Sequence, residues 1–251
     1  MLIQRIPEQP IPGQRLGRHI HHDPRSRRYR APVDQVTPTS KVWTRHCGPW
    51  DQGDLGSCTG NAVAGLAMTD PVWRKGEKLT EASARRVYKL ATTLDDDAVP
   101  GHWPPDDTGS TGLAACKAAV RLGFATQYLW GFGIDDLVRI LSAVGPCAAG
   151  TNWLTGMDTP DDRGVVHYQG SVRGGHEYEL VGVHLDTSLG APIGECVEAQ
   201  NSWGRGWGVK GTDAGLRWWA GGRFFIPLAD MARALSDGGD VVTLATNHLG
   251  G

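Results

Sequence analysis

The chain of 251 residues carries at positions 51–62 the run Asp51-Gln52-Gly53-Asp54-Leu55-Gly56-Ser57-Cys58-Thr59-Gly60-Asn61-Ala62. Small and mostly apolar residues continue from there to Met68, which favours a buried helix beginning at or near Cys58. Pro71 predicts the end of that helix. The partial positive charge of a helix N-terminus stabilises a thiolate, the nucleophilic form of cysteine. The stretch therefore predicts that Cys58 is a nucleophile for acyl transfer.

A second group in the same stretch has a complementary chemistry. Gln52 lies six residues before Cys58, and Gly53 and Gly56 allow the intervening chain to turn back tightly. Such a loop would bring the Gln52 side-chain amide beside the backbone N–H of Cys58. Two donors that converge on one point form an oxyanion hole, and each typically contributes about 2.7–4 kcal/mol. We therefore expect Gln52 to be an oxyanion donor.

An imidazole and an amide follow later in the chain. His176 comes after two glycines and precedes a strand-like run, while Asn201 follows the alternating run 195–199. An imidazole near the thiol could act as a general base and acid, and the amide oxygen of Asn201 could accept its N–H and orient it. Trp203 could cover that hydrogen bond. A thiol, an imidazole and an amide thus occur in an order that predicts cysteine-dependent acyl transfer.

These motifs resemble those of papain-like cysteine peptidases. The resemblance rests on Gln52 to Cys58, on Gly175-His176, and above all on the run Asn201-Ser202-Trp203-Gly204-Arg205-Gly206-Trp207-Gly208. It implies Cys58 as nucleophile, His176 as general base and acid, Asn201 as the residue that orients it, and Gln52 as oxyanion donor. It also implies an α+β fold with two lobes: a helical lobe over about 51–145, an antiparallel β-rich lobe over about 147–225, and the active site between them.

The resemblance extends to the substrate cleft. The segment 107–113 is similar to the one that borders the cleft in bacterial members, so we expect substrate binding by Gly109, Ser110, Gly175 and Trp203. The chain departs from the family pattern at three places. Leu55 replaces a cysteine that forms a disulfide in secreted relatives, Thr59 replaces an aromatic residue, and Glu177 follows His176 where the family usually has a small residue.

Composition excludes several classes of protein. The formal net charge is −2, which favours neither nucleic acid nor an acidic membrane surface as a partner. No apolar run approaches the roughly 20 residues that span a bilayer, and the N-terminus lacks the apolar core of a signal peptide. Five scattered cysteines without an export signal favour reduced thiols. We expect a cytoplasmic or virion-associated protein with no cofactor, no metal site and no membrane partner.

Three segments are predicted. Residues 1–40 form a basic arm rich in Pro and Arg, residues 41–235 form the papain-like peptidase domain, and residues 236–251 form a loose C-terminal tail. The first 30 residues hold seven arginines against Glu8 and Asp23. The arm is expected to be extended on the surface or disordered. The alternative is that the arm binds a partner or blocks the cleft. In either case, the arm is too short to be a folded propeptide.

Two functions from different classes are consistent with these features. The first is an endopeptidase of bacterial or phage type that acts on a peptide or protein substrate through an acyl-enzyme. The second is a structural or binding component of a larger assembly, such as a phage particle, which keeps the fold and contacts a protein partner through its arm. Hydrolysis of cell-wall peptides would use the same machinery on another substrate.

Overall fold

Antiparallel pairing joins seven strands into one sheet in the computed structural model, which describes residues 3–95, 97–209 and 221–245. The seven strands are β2 (Lys41–Val42), β4 (Gln127–Gly131), β5 (Cys147–Leu154), β6 (Val172–His184), β7 (Cys196–Gln200), β8 (Arg223–Pro227) and β9 (Asp240–Ala245). The strand order is β4-β9-β5-β6-β7-β8, and β2 pairs with the C-terminal end of β6. The longest strand, β6, carries His176 and occupies the middle of the sheet.

Helices and two short strands complete the described chain. A separate parallel pair forms between β1 (Arg18–His19) and β3 (Ser110–Thr111), with Arg18 opposite Ser110. The α-helices are α1 (Cys58–Leu66), α2 (Glu81–Asp95), α3 (Gly112–Arg121), α4 (Ile134–Ala143) and α5 (Leu228–Ser236), and 3-10 turns occur at Pro24–Tyr29 and Thr155–Met157. Among the described residues, no helix combines the length and apolar character needed to cross a membrane.

The sheet separates two hydrophobic cores, because successive side chains of a strand point to opposite faces. On β9, Val241 packs into one core and Val242 into the other. On β5, Ala149 and Ala148 divide in the same way. Helices α1, α2 and α3 pack against the face that bears Ala148 and Val242, so Cys58 at the start of α1 faces the central strands.

This architecture confirms the α+β fold class and corrects two details of the expected organisation. The segment 51–145, expected to be helical, also contains β4, which pairs with β9 at the edge of the sheet. The tail, expected to be loose, contains β9, which lies between β4 and β5. Residues 246–251 of that tail lie outside the described residues. Short apolar runs such as 241–245 do not reveal their partners locally, because strand pairing depends on distant segments.

The arm differs from the expected surface segment. Leu16, Ala31 and Val33 are fully buried in the core on one face of the sheet, and Arg18 is fully buried as well. Most arginines of the arm do lie at the surface, as its basic composition suggests, but these three apolar residues and Arg18 are covered by the rest of the fold.

A glycine in α1 sets how closely the helices approach. A Cβ on Gly60 would lie 2.5 Å from the Ala84 carbonyl oxygen and 2.9 Å from the Tyr88 backbone nitrogen on α2. Alanine favours helix formation by about 1 kcal/mol over glycine, but the steric conflict with backbone atoms costs more, since overpacking typically costs about 1–3 kcal/mol.

We therefore expect Gly60→Ala to lower the free energy of unfolding, measured by chemical denaturation. Gly206→Ala is the matched control, because a Cβ there meets no atom of the described residues within 4 Å. Equal stability of the two variants would contradict the close packing of α1 on α2.

Candidate active site

Cys58 is the first residue of α1 and is fully buried. The backbone N–H groups of Glu177 and Thr59 lie where they stabilise the thiolate, whereas burial raises the pKa of Cys58 above its ordinary value. Burial is the larger effect, so the thiol is protonated in this arrangement. The contact with the Glu177 N–H places the sulfur beside the strand residue that directly follows His176.

His176 is held by an amide. Its Nε2 lies 2.8 Å from Asn201 Oδ1, and the same oxygen accepts the backbone N–H of Ser202 at 2.8 Å. An atom that accepts from a backbone N–H is the amide oxygen, so His176 Nε2 carries the proton in this pair. The other ring nitrogen, Nδ1, is buried and has no hydrogen-bond partner among the described residues. The neutral imidazole therefore keeps an unshared electron pair available for a proton.

Aromatic rings enclose this imidazole. Trp203 stacks on His176 with ring centroids 4.8 Å apart, and Trp153 meets it edge-on at 4.9 Å. Both tryptophans are buried, with Trp153 fully so. They exclude water from the His176–Asn201 hydrogen bond, which strengthens it and fixes the plane of the ring.

Gln52 is positioned by Ser202. The Gln52 backbone N–H donates to the Ser202 carbonyl at 2.8 Å, and the Ser202 hydroxyl donates to Gln52 Oε1 at 2.5 Å. The side-chain nitrogen is thereby turned the other way, where it donates to the carbonyls of Leu55 at 2.8 Å and Arg15 at 3.1 Å. One of its two hydrogens thus points at a carbonyl oxygen supplied by the arm.

Residues 15–17 of the arm cross this site between β6, which carries Gly175, and β3, which carries Ser110. The Arg15 carbonyl accepts from Trp203 Nε1 at 3.0 Å in addition to Gln52. The Gly17 N–H donates to the Gly175 carbonyl at 3.0 Å, and the Gly17 carbonyl accepts the Ser110 N–H at 2.8 Å. A Cβ on Gly17 would lie 2.1 Å from the Gly56 carbonyl, so only glycine fits there.

The four residues expected to bind substrate all border the arm. Gly175, Ser110 and Trp203 hydrogen-bond to it, as described above, and a Cβ on Gly109 would lie 2.4 Å from the Gly17 carbonyl. The arm therefore occupies the space beside the residues that were expected to bind substrate.

Among the described residues, no group of three His, Cys, Asp or Glu side chains could hold a metal ion.

The chain is similar to known proteins in its fold. No family model and no curated protein sequence matches the chain. Among solved structures, xylellain, a cysteine protease from Xylella fastidiosa, superposes with a TM-score of 0.68 at 16% identity, covering 99% of this chain and 100% of its own. The chain has the papain-like fold.

Other papain-like structures match over most of the chain. Digestive procathepsin L 3 of the Tenebrio molitor larval midgut has a TM-score of 0.60 at 13% identity, covering 86% of this chain and 74% of its own. Bromelain from Ananas comosus, in complex with the E64 inhibitor, has a TM-score of 0.56 at 14% identity, with coverage of 84% and 100%. The papain-like fold is thus shared with cysteine proteases at low sequence identity.

Two contributors to the candidate site were not predicted from the sequence. Ser202 orients Gln52, and its place in the run 201–208 was the only signal for it. The Arg15 carbonyl contacts Gln52 and Trp203, but a backbone carbonyl in a loop leaves no sequence signal.

The protonation of His176 gives a testable pH dependence. Burial lowers the pKa of His176 from 6.5 to about 3, the Asn201 hydrogen bond opposes that shift, and Arg173 adds to it. Between these pH values the unfolded chain binds more protons at this residue. His176 therefore lowers the free energy of unfolding as the pH falls from 6.5 towards 3.

We expect the ring signals of His176 in the full chain to show no titration between pH 4 and pH 8 in carbon–proton correlation spectra. His176→Asn assigns the signals by their loss. A titration step of His176 near pH 6.5 would contradict its burial in the neutral form.

Proposed function

We propose that this papain-like chain is a cysteine peptidase that hydrolyses peptide bonds through an acyl-enzyme on Cys58. The observation that carries the proposal is the orientation of His176, whose Nε2 is bound by Asn201 while the buried Nδ1 lacks a partner among the described residues. Such an imidazole can accept the thiol proton and later return it, as cysteine-dependent acyl transfer requires.

Each residue of the site has its own role in the proposed reaction. The thiol proton of Cys58 passes to His176 Nδ1, and the thiolate attacks the carbonyl carbon of the peptide. Gln52 Nε2 and the Cys58 N–H hold the resulting oxyanion, as the carbonyl contact of Gln52 supports. The imidazolium protonates the leaving amine as the C–N bond breaks. Water, deprotonated by His176, then attacks the thioester, which releases the acid and restores the thiol.

The docked arm has to leave before a peptide can enter. Its Gly17 backbone uses the Ser110 N–H and the Gly175 carbonyl, and its Arg15 carbonyl uses the Gln52 amide. We therefore propose that the arm restrains the enzyme as an occupant of its own cleft. The assembly alternative is not favoured, because the solved structures that match are proteases.

Labelling of the full chain with an epoxysuccinyl inhibitor of cysteine peptidases tests the proposal. We compare the unaltered chain with Gly17→Ala, in which the new methyl group conflicts with the Gly56 carbonyl and loosens the arm. One adduct at Cys58, formed at least about tenfold faster in Gly17→Ala, is expected. Adding His176→Ala to Gly17→Ala should prevent it, because the thiolate then lacks its base.

Gly13→Asn is the matched control within the arm. Gly13 has a φ of +72°, and a Cβ added to it would meet no atom within 4 Å in the part of the chain that the structure describes. Asparagine tolerates this backbone conformation. This variant should label at the rate of the unaltered chain. If both the unaltered chain and Gly17→Ala stay folded and neither is labelled at Cys58, the peptidase proposal fails.

A further inference from the structure

Three opposed residues of the central sheet and one residue of α3 form an acidic pocket beside the site. Gly150 on β5 lies directly opposite Glu177 on β6 and directly opposite Asp240 on β9. Opposed residues of antiparallel strands place their side chains on the same face. Because the middle residue is glycine, a space remains between the two carboxylates, and Gly112 at the start of α3 closes it near Glu177 Oε1. We call these four residues the acidic pocket.

Arg18 of the arm fills the acidic pocket. Its side chain is fully buried, and its terminal nitrogen donates to Asp240 Oδ2 at 2.5 Å and to the Gly238 carbonyl at 2.9 Å. A Cβ on Gly150 would lie 2.6 Å from Arg18 Nε and 2.9 Å from Glu177 Oε2. The guanidinium thus lies over the glycine, between the two acidic residues.

Several polar atoms in the acidic pocket lack a hydrogen-bond partner among the described residues. Both oxygens of the fully buried Glu177 lack a hydrogen-bond partner among the described residues, as do Arg18 Nε and Nη1 and Asp240 Oδ1. Burial raises the pKa of Glu177, and the neighbouring Asp240 raises it further, whereas Arg18 lowers it. Removing Arg18 would leave the nearly buried Asp240 carboxylate without its cation, next to a second acidic side chain, which is costly in a protein interior. The pocket is therefore built to receive a positive charge.

The acidic pocket is part of the cleft that the arm crosses. Glu177 directly follows His176, and its backbone N–H contacts Cys58. Arg18 directly follows Gly17, whose backbone bonds to Gly175 and Ser110 on the two walls of the cleft. Any extended chain that replaces the arm along this path can direct one side chain into the pocket.

We propose that the acidic pocket selects an arginine side chain of the peptide substrate, and that Arg18 occupies it as an internal substitute. This inference rests on the proposed cysteine peptidase function. The planar guanidinium suits two carboxyl groups on either side of a glycine, because it presents five donors in a fixed fork. Glu177, where the papain-like pattern has a small residue, is then a specificity-determining residue.

Quenched fluorescent peptides test the proposal on full-length Gly17→Ala and on the unaltered chain. The peptides share one sequence and carry arginine, citrulline or norleucine at one position at a time. Citrulline preserves the shape of arginine and removes its charge. At one position we expect arginine to exceed citrulline by at least about tenfold in kcat/KM, because citrulline leaves the buried acidic side chains without a cation.

Glu177→Gln and Asp240→Asn, each added to Gly17→Ala, should reduce that arginine-to-citrulline ratio severalfold. Asp186→Asn is the control, because it removes an exposed carboxylate outside the pocket and should leave the ratio unchanged. If one pocket variant does not fold, the other still tests the location of the guanidinium, and equal rates for arginine and citrulline in Gly17→Ala overturn the proposal in either case.

The outcomes separate the two proposals. Hydrolysis with equal rates for arginine and citrulline at every position overturns the arginine pocket and leaves the peptidase function intact. An arginine preference that persists in both pocket variants also overturns it, because the guanidinium then binds elsewhere. No hydrolysis of any peptide together with no adduct on Cys58 removes the peptidase function, and the arginine pocket with it.

Discussion

Cys58→Ala is expected to abolish peptide hydrolysis in the Gly17→Ala background, with kcat falling by about 10³-fold or more. The reason is chemical: removal of the nucleophile of an acyl-transfer site leaves only binding and oxyanion stabilisation. Hydrolysis of a quenched peptide measures the loss, and circular dichroism establishes that the fold is retained. The substitution removes one sulfur atom from a buried position, so no large structural change is expected.

Two further variants calibrate this result. Gln52→Ala removes the proposed oxyanion donor and should lower kcat by about 10²–10³-fold, less than loss of the proposed nucleophile. Cys116→Ala removes another fully buried thiol, on α3, and should keep the activity. Equal activity of Cys58→Ala and Cys116→Ala would show that hydrolysis does not depend on Cys58.

Arg45→Met is expected to lower the free energy of unfolding by about 3–5 kcal/mol, because it breaks a buried ion pair. Arg45 Nε lies 2.8 Å from Glu179 Oε2, and both side chains are almost fully buried. Arg45 also donates to the Cys47 carbonyl at 2.8 Å, and Glu179 accepts from the Thr69 hydroxyl at 2.5 Å. Methionine fills similar space but leaves the Glu179 carboxylate without its cation.

Differential scanning calorimetry measures this effect as a fall in Tm of roughly 6–20 °C, at about 2–4 °C per kcal/mol for a chain of this size. Arg74→Met is the matched control. Arg74 pairs with Glu77 at 2.8 Å, but its side chain is 55% exposed, so the loss should stay below about 1 kcal/mol. Arg45→Met combined with Glu179→Leu should recover part of the stability. A similar loss in the free energy of unfolding for Arg45→Met and Arg74→Met would contradict a larger contribution from the buried pair.

Much of the fold was predictable where a segment carries its own pattern. The small residues after Cys58 predicted α1, and the run around 177–183 predicted a strand that is part of β6. The strand before Asn201 was expected over 195–199 and is observed as β7 at Cys196–Gln200. Such segments are predictable because the periodicity of their side chains reflects burial on one or both faces.

One hydrogen bond of the candidate site was predictable from the sequence, and most of its other contacts were not. The sequence indicated that the Asn201 oxygen would accept from His176, and these two groups lie 2.8 Å apart. For Gln52 it indicated a donor facing the reacting carbonyl, but not the Ser202 hydroxyl that orients the amide. That hydroxyl comes from 150 residues further along the chain, so its role depends on how the two segments meet.

By itself, the sequence determined the order and chemical types of the groups that the site requires, together with the α+β class, because these depend on local motifs and periodicity. The tertiary structure alone decided that β9 pairs within the sheet and that the arm passes through the cleft with Arg18 between Glu177 and Asp240. Composition indicated only that the arm is basic. The buried location of Arg18 depends on acidic residues contributed by β6 and β9, which lie more than 150 residues away and converge only when the sheet forms.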